Sequence, residues 1–148
     1  MSELSTQEQE LADAARAAMG HAYAPYSRFA VGAALRMNDG SILTGSNFEN
    51  ASYGLSLCAE TVAIATTNAQ GRLKDIVAIA VAGAPMDGPG EAVITPSGRC
   101  RQILNEAQDV AGHEIPILCV SGDGKSVTRH RLTELLPHAF GPADLGLA

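Results

Sequence analysis

The sequence is poor in aromatic side chains, in charged side chains and in cysteine. Of its 148 residues none is tryptophan, 4% are aromatic, 18% are charged, and three are cysteine. An odd number of cysteines argues against a disulfide framework and favours a reducing compartment. The first residues contain neither a basic segment nor an apolar core, so we expect no secretion signal and a cytoplasmic location.

Long apolar runs and an excess of basic residues are also missing. The formal net charge of −6 disfavours a nucleic-acid polymer or an anionic membrane as partner, because proteins bind both of these anionic partners through lysine and arginine. The apolar stretches are short and interrupted by glycine or charge, so we expect no membrane span. The chain is nevertheless 46% apolar, and its length suits a single domain over residues 1–148 with its own core.

The apolar pattern changes between helical and strand periods along the chain. It predicts helices at 6–19, from about 58 to 71, at 100–110 and at 132–136, strands at 29–37, 41–48, 76–82, 115–120 and 127–130, and the end of a strand at 93–95. The link at 121–125 is too short for a parallel crossover, so the last strand should be antiparallel. We therefore expect an α/β fold, a three-layer α-β-α sandwich with a mixed five-stranded sheet.

Cys58 and Glu60 stand where a helix is predicted to begin. A cysteine at a helix N-terminus faces unpaired N–H groups and the positive end of the dipole, which favour the thiolate, a metal ligand or nucleophile. Glu60 lies in the first turn and can face the same cavity. Taken alone, Glu60 is equally well explained as a glutamate that favours the helix dipole, and Cys58 as a core thiol.

A second predicted helix start repeats this arrangement at residues 96–100, which read Pro-Ser-Gly-Arg-Cys. With a cysteine at each start, Cys58 and Cys100 can converge on one metal ion. Zinc-dependent nucleobase deaminases carry a ligand–x–Glu pattern followed by Pro-Cys-x-x-Cys. The chain matches this signature except at Ser97, where the pattern has a cysteine.

The sequence resembles the small homotetrameric cytidine deaminases, which act on free nucleosides. The resemblance covers nearly the whole chain and rests on motifs at residues 24–29 with 31–34, 45–54, 58–60, 98–102 and 135–142. It implies zinc-dependent hydrolysis of cytidine or deoxycytidine to uridine or deoxyuridine and ammonia, in pyrimidine salvage. It also implies a homotetramer with sites shared between subunits. A neutral nucleoside is compatible with the acidic net charge.

The resemblance implies a role for each matching site residue. Glu60 is the catalytic proton carrier, and zinc is bound by Cys58 and Cys100 with Ser97 in the place of a third cysteine. The substrate-binding residues are Phe29 against the pyrimidine, Asn47 and Glu49 on the ribose hydroxyls, Ala59 and Thr95 through backbone groups, and Tyr53 and Phe140 in a neighbouring subunit's site. Plainer explanations stay open for four of them, namely turn formation for Asn47 and Glu49 and hydrophobic packing for Phe29 and Phe140.

Ser97 is the main departure from the family pattern. A serine hydroxyl stays protonated near neutral pH and is a poor zinc ligand beside a thiolate. Three explanations are open. Cys58, Cys100 and an oxygen of Ser97 or water hold zinc more weakly than usual, the serine was introduced to weaken the site, or the protein has lost catalysis and keeps only nucleoside binding.

A second departure concerns positive charge near the thiols. Many relatives have an arginine directly after the glutamate, where this chain has Thr61, and this chain instead carries Arg99 between its two later ligand positions. We expect Arg99 to supply the missing charge from the other side. The sequence of residues 98–102 also resembles that of blasticidin S deaminase, so a modified cytosine nucleoside is an alternative substrate.

Overall fold

Residues 3–147, which the computed structural model describes, form one mixed sheet with helices on both faces. The elements are α1 (Thr6–Met19), β1 (Phe29–Met37), β2 (Ile42–Ser46), α2 (Ala59–Ala69), β3 (Ile76–Pro85), α3 (Gly98–Ala111), β4 (Ile117–Ser121), β5 (Val127–His130) and α4 (Leu132–Leu135). The strand order is β2-β1-β3-β4-β5. Only the β3–β4 pair is parallel among these strands, which confirms the mixed five-stranded sheet and its antiparallel last strand.

Two hydrophobic clusters lie on opposite faces of the sheet because side chains alternate along each strand. The face under α2, α3 and α4 carries mostly large aliphatic side chains, including Leu35, Met37, Ile79, Val81 and Ile117. The face under α1 carries smaller ones, including Ala34, Ala80, Ala82 and Val120. The fold is therefore the predicted three-layer sandwich. Within residues 3–147, no helix has both the length and the apolar character that a membrane crossing requires.

Two glycines in the sheet let helices lie unusually close to it. A Cβ at Gly32 would collide with the carbonyl oxygen of Ala15 on α1. A Cβ at Gly45 would lie 2.6 Å from both the carbonyl oxygen of Ala59 and the amide nitrogen of Ala63. The first turn of α2 can pack directly on β2 only because residue 45 has no side chain. This contact fixes where Cys58 and Glu60 lie.

Residues 93–95 differ from the prediction, since they form neither strand nor helix, and the turn that follows at 96–97 also belongs to neither. The strand expected at 93–95 is wrong for a topological reason. Both edges of β3 are already occupied, by β1 and β4, so the segment after β3 has no free strand edge beside it. It instead crosses over the end of the sheet as an irregular chain and leads into α3.

Candidate active site

The N-terminus of α2 carries the first two candidate residues. Cys58 is the N-cap of α2, half-buried, with no side-chain capping hydrogen bond, and Glu60 in the first turn is only 4% exposed. The chain before Cys58 is held in place because Leu57 exchanges two backbone hydrogen bonds with Phe48, of 2.8 and 2.9 Å. Burial therefore places both the thiol and the carboxyl inside the protein at a helix start.

The N-terminus of α3 carries the next two. Ser97 is its N-cap, and its Oγ accepts a hydrogen bond from the Cys100 amide at 3.4 Å. Serine is a favoured N-cap, so α3 begins at Gly98, two residues before the predicted start. Cys100 is consequently the third helical residue rather than the first, and it is buried.

The two helix starts meet at their side chains. The two thiols, of Cys58 and Cys100, lie close enough to each other and to the Ser97 hydroxyl for these groups to shift the pKa of each thiol. The hydrogen bond with Cys100 lowers the pKa of the Cys58 thiol to about 7, while the same bond and burial raise the pKa of Cys100. The two thiols therefore titrate together, and the first deprotonation belongs to the pair rather than to one sulfur.

The Glu60 carboxyl adjoins this cluster. Burial raises the pKa of Glu60, against weaker opposing hydrogen bonds from its own backbone amide and from the Cys100 thiol. A carboxyl whose pKa is raised by burial holds its proton more readily than a surface glutamate, which suits a general acid and base.

The donor set fits a metal with an open position. Catalytic zinc sites use three protein ligands and leave the fourth for water or substrate. Here two sulfurs and one hydroxyl oxygen line the same cavity. Within residues 3–147, no three histidine, cysteine, aspartate or glutamate side chains form a metal-binding group, and the Ser97 hydroxyl lies beside the two thiols at the position of a third donor.

These groups line a cavity of about 230 Å³ at the end of the sheet. The predicted site residues on its wall are Cys58, Ala59 and Glu60 from the start of α2, Thr95, Ser97 and Cys100 around the start of α3, and Asn47 and Glu49 after β2. Residues from three separate parts of the sequence thus share one small space.

Asn47 and Glu49 are both held by backbone groups of neighbouring segments. The Asn47 Nδ2 donates to the Phe29 carbonyl at 2.8 Å, and its Oδ1 accepts from the Val31 amide at 2.9 Å. The Glu49 Oε1 accepts from the amides of Tyr26 and Ser27 at 3.0 and 3.1 Å. These bonds orient both side chains, and each retains further hydrogen-bonding capacity for a ligand.

Phe29, Tyr53 and Phe140 do not line this cavity. Phe29 lies half-buried on β1 with its ring edge over Gly83, beside Ile94 of the cavity wall. The side chains of Tyr53 and Phe140 are 74% and 58% exposed. Tyr53 instead lines an adjoining pocket that shares Glu49 and Ser56 with the cavity. The role of Tyr53 and Phe140 in a neighbouring subunit's site stays a prediction.

Arg99 and Thr61 bear on the charge around the thiols. The Arg99 Nη1 donates to the Ser56 carbonyl at 3.3 Å, two residues before Cys58. The pKa of Cys58, lowered mainly by its hydrogen bond with Cys100, is lowered further by the charge of Arg99. Thr61 offers no such charge, and its buried Oγ1 has no hydrogen-bond partner within residues 3–147.

Sequence reasoning missed several residues of the wall. Val31, Ser56, Leu57 and Ile94 also line the cavity. The alternation of β1 could have indicated Val31, because it lies on the same face as Phe29. No local pattern indicated Ile94, since its segment was taken for a strand.

A family model agrees with this geometry. The model of the cytidine and deoxycytidylate deaminase zinc-binding region matches residues 5–112. The chain belongs to the cytidine and deoxycytidylate deaminase family. Because the matched region is the family's zinc-binding region, zinc is the cofactor.

Similar proteins in this family come from several bacteria. The chain is 44% identical to the cytidine deaminase of Halalkalibacterium halodurans over 84% of this chain and 86% of that protein. It is 45% identical to the cytidine deaminase of Mycobacterium tuberculosis over 90% and 88%. A crystal structure of cytidine deaminase from Burkholderia pseudomallei is 40% identical with a TM-score of 0.77, covering 93% of this chain and all (100%) of that one.

Proposed function

We propose that the protein is a zinc-dependent hydrolytic deaminase of free cytosine nucleosides, which converts cytidine or deoxycytidine to uridine or deoxyuridine and ammonia. The observation that carries this proposal is the meeting of Glu60 with the Cys58 and Cys100 thiols in one cavity. The likeness to proteins named cytidine deaminase, over most of both chains, supports the same activity.

Glu60 is the proton carrier of the proposed reaction. Zinc held by Cys58 and Cys100, with Ser97 at the third position, would supply the Lewis acidity that makes water a nucleophile near neutral pH. Glu60 takes a proton from the attacking water as the C4–O bond forms and gives it to the ring nitrogen N3. It then takes the second proton from the new C4 hydroxyl and passes it to the amino group, which leaves as ammonia when the C4–N bond breaks. Burial, which raises the pKa of Glu60, helps the carboxyl to hold each proton between these transfers.

The remaining wall residues bind and orient the nucleoside. Asn47 and Glu49 face the cavity with fixed side chains, which suits hydrogen bonds to the ribose hydroxyls. The backbone of Ala59 and Thr95 lies on the wall near Glu60, where it can contact the base. Phe29 supports the pyrimidine side of the cavity through its packing beside Ile94.

The test is product formation from cytidine by the purified protein. We expect uridine and ammonia in equal amounts with zinc supplied, and loss of activity after treatment with a strong chelator. Chelator-resistant turnover would contradict a role for zinc. An absence of turnover in zinc-loaded protein would contradict the proposed activity.

A second candidate, a nucleoside-binding protein without catalysis, is favoured by one observation. Ser97 caps α3 through its Oγ, so the third zinc position is occupied by a residue with a sufficient structural role. Uridine or cytidine binding measured by calorimetry, without turnover in zinc-loaded protein, would favour this candidate. Recovery of turnover by Ser97→Cys would show that the serine is the cause.

The proposal includes a homotetramer with sites shared between subunits. Tyr53 and Phe140 are exposed aromatic side chains, and the Phe140 carbonyl is held by Gln102 and Asn105 at 2.8 and 3.3 Å. A hydrophobic ring presented on an anchored backbone is suited to a protein–protein contact. Light scattering gives the mass of the assembly, and Phe140→Ala should lower both that mass and the activity.

The finer proposals concern cellular context. We propose a single domain over residues 1–148, a cytoplasmic location and a role in pyrimidine salvage. The three free thiols suit a reducing compartment, and one sheet uses strands from residue 29 to residue 130. Growth of a pyrimidine auxotroph on cytidine, dependent on this gene, tests the salvage role.

A further inference from the structure

Arg101, the fourth residue of α3, donates hydrogen bonds to three acceptors at once. Its Nε donates to the Pro96 carbonyl at 2.6 Å, its Nη2 to the Thr95 Oγ1 at 3.0 Å, and its Nη1 to the Leu135 carbonyl at 2.8 Å. Two of these acceptors lie in the irregular segment that forms one wall of the cavity. The third lies in α4, outside that segment.

Apart from Arg101, no described residue forms a hydrogen bond with the wall segment at Ile94, Thr95 or Pro96. Among residues 3–147, no backbone–backbone hydrogen bond involves Ile94, Thr95 or Pro96, and their segment belongs to no strand or helix. The described side-chain hydrogen bonds to these three residues both come from Arg101. Packing adds the contacts of Val93 and Ile94 with the hydrophobic core, the approach of Ile94 to Gly83 and the burial of Pro96, but these contacts do not fix the direction of the Thr95 and Pro96 polar groups.

Arg101 links the wall segment to another part of the fold through the Leu135 carbonyl. This carbonyl belongs to α4, which is anchored in the core by Leu132, 2% exposed. A planar guanidinium presents its donors in a fixed fork, so one acceptor on α4 orients the donors that face the wall. Lysine has the same charge but cannot reproduce this fork.

We propose that Arg101 is a positioning residue that holds the Thr95–Pro96 wall at the distance from Glu60 that a cytosine base requires. The proposal rests on the proposed function, because it assigns the wall to substrate binding. Misplacing such a wall by about 1 Å costs on the order of 100-fold in rate. Arg101 itself touches neither the metal nor the substrate in this role.

The experiment compares Arg101→Gln and Arg101→Lys with the matched control Arg36→Gln. Arg36 also donates to two carbonyls and one side chain, those of Gly40, Gln7 and Glu10, but lies away from the cavity. For each variant kcat and KM for cytidine, bound zinc and Tm are measured. We expect both Arg101 variants to lower kcat/KM about 10- to 100-fold with zinc content unchanged, and Arg36→Gln to change it less than about twofold.

Each alternative role predicts a different result. Recovery of activity by Arg101→Lys would overturn the proposal in favour of charge, and loss of zinc from the Arg101 variants would overturn it in favour of metal binding. Equal losses of kcat/KM in the Arg101 and Arg36 variants would mean that Arg101 contributes only to the stability of the fold, which would overturn the proposal. A double-mutant cycle with Thr95→Val should be non-additive, since both changes break the same hydrogen bond.

Crystal structures of the variants test the positioning role of Arg101 independently of the proposed activity. If the wild-type protein does not deaminate cytidine, the proposed function fails whatever Arg101 does. The wall should still move by about 1 Å in crystals of Arg101→Gln and stay in place in Arg36→Gln. An unmoved Thr95–Pro96 segment in Arg101→Gln would overturn the positioning role.

Discussion

The starts of α2 and α3 carry the same kind of side chain but use their capping positions differently. At α2 the N-cap is Cys58, which makes no side-chain capping bond. At α3 the N-cap is Ser97, which accepts from the amide of Cys100. One helix start therefore has no capping side chain at its N-cap next to the cavity, while the other commits its capping oxygen to the helix. A third start, at α1, is an ordinary capping box between Ser5 and Glu8 and serves as the reference.

The start of α2 is suited to metal binding, whereas the start of α3 also stabilises its helix. A cysteine N-cap sacrifices a favourable capping bond, which is worth about 1 kcal/mol with serine. The sacrifice is understandable if the sulfur must bind a metal. At α3 the capping serine stands at the position where the zinc signature has a cysteine, so stability and metal binding draw on the same oxygen.

The largest effect should come from Glu60, the carboxyl that the start of α2 carries and the start of α3 lacks. Glu60→Gln should lower kcat for cytidine about 100- to 10,000-fold, because an amide cannot transfer the proton. The matched control is Glu8→Gln, a glutamate in the first turn of α1, which should leave kcat unchanged. Comparable activity of Glu60→Gln and the wild type would remove Glu60 from the reaction.

Exchanging ligand types at the two starts should change zinc retention in opposite directions. Cys58→Ser removes one of two thiols and should release zinc, whereas Ser97→Cys adds a soft ligand and should tighten binding on the order of tenfold or more. Competition with a chromophoric chelator measures both. Cys119→Ser, at a buried cysteine of β4 that does not line the cavity, is the control and should leave zinc affinity unchanged. Looser binding by Ser97→Cys would contradict the ligand assignment at position 97.

The same two positions should have reversed effects on the metal-free protein. Ser97→Ala should lower its free energy of unfolding by about 1 kcal/mol, because the Cys100 amide loses its acceptor. Cys58→Ser should raise it by up to about 1 kcal/mol, because serine is the better cap. Urea denaturation in the presence of chelator measures both. A stabilised Ser97→Ala would mean that the hydroxyl caps nothing.

The smallest effect concerns the reference start at α1. The Arg129 side chain, with the Ser5 amide, lowers the pKa of Glu8 to about 2 from its ordinary 4.5. This pair stabilises the protein above pH 4.5, and the contribution is lost as the pH falls toward 2. Glu8→Gln should therefore flatten the acid limb of stability against pH, measured by Tm, and Glu10→Gln is the control. An unchanged acid limb would show that the exposed pair contributes nothing.

Much of the fold could be read from local patterns. Helix 6–19, strand 29–37 and strand 127–130 were predicted with the bounds that the structure has. Capping and alternation depend on near neighbours, so these elements carry their own signals. Strand 41–48 was predicted too long, because at Asn47 the regular ladder gives way to one backbone bond and two side-chain bonds with β1.

The candidate site was predicted in its residue types but not in its wall. Cys58, Glu60 and Cys100 were recognisable because each stands in a short pattern with a known chemistry. Ile94 had no such pattern, and Arg101 lies in the 98–102 motif but received no role from it. Their roles depend on contacts with Gly83, Thr95 and Leu135, which only the folded chain brings together.

The sequence by itself determined the elements, the acidic surface and the two helix starts with their cysteines. These follow from interactions over a few residues, and from composition. Only the tertiary structure decided that the starts share one cavity, because α2 and α3 must pack on the same face of the sheet and Gly45 must let α2 approach it. It likewise decided what holds the Thr95–Pro96 wall, because Arg101 finds its acceptors in segments that are distant in the chain.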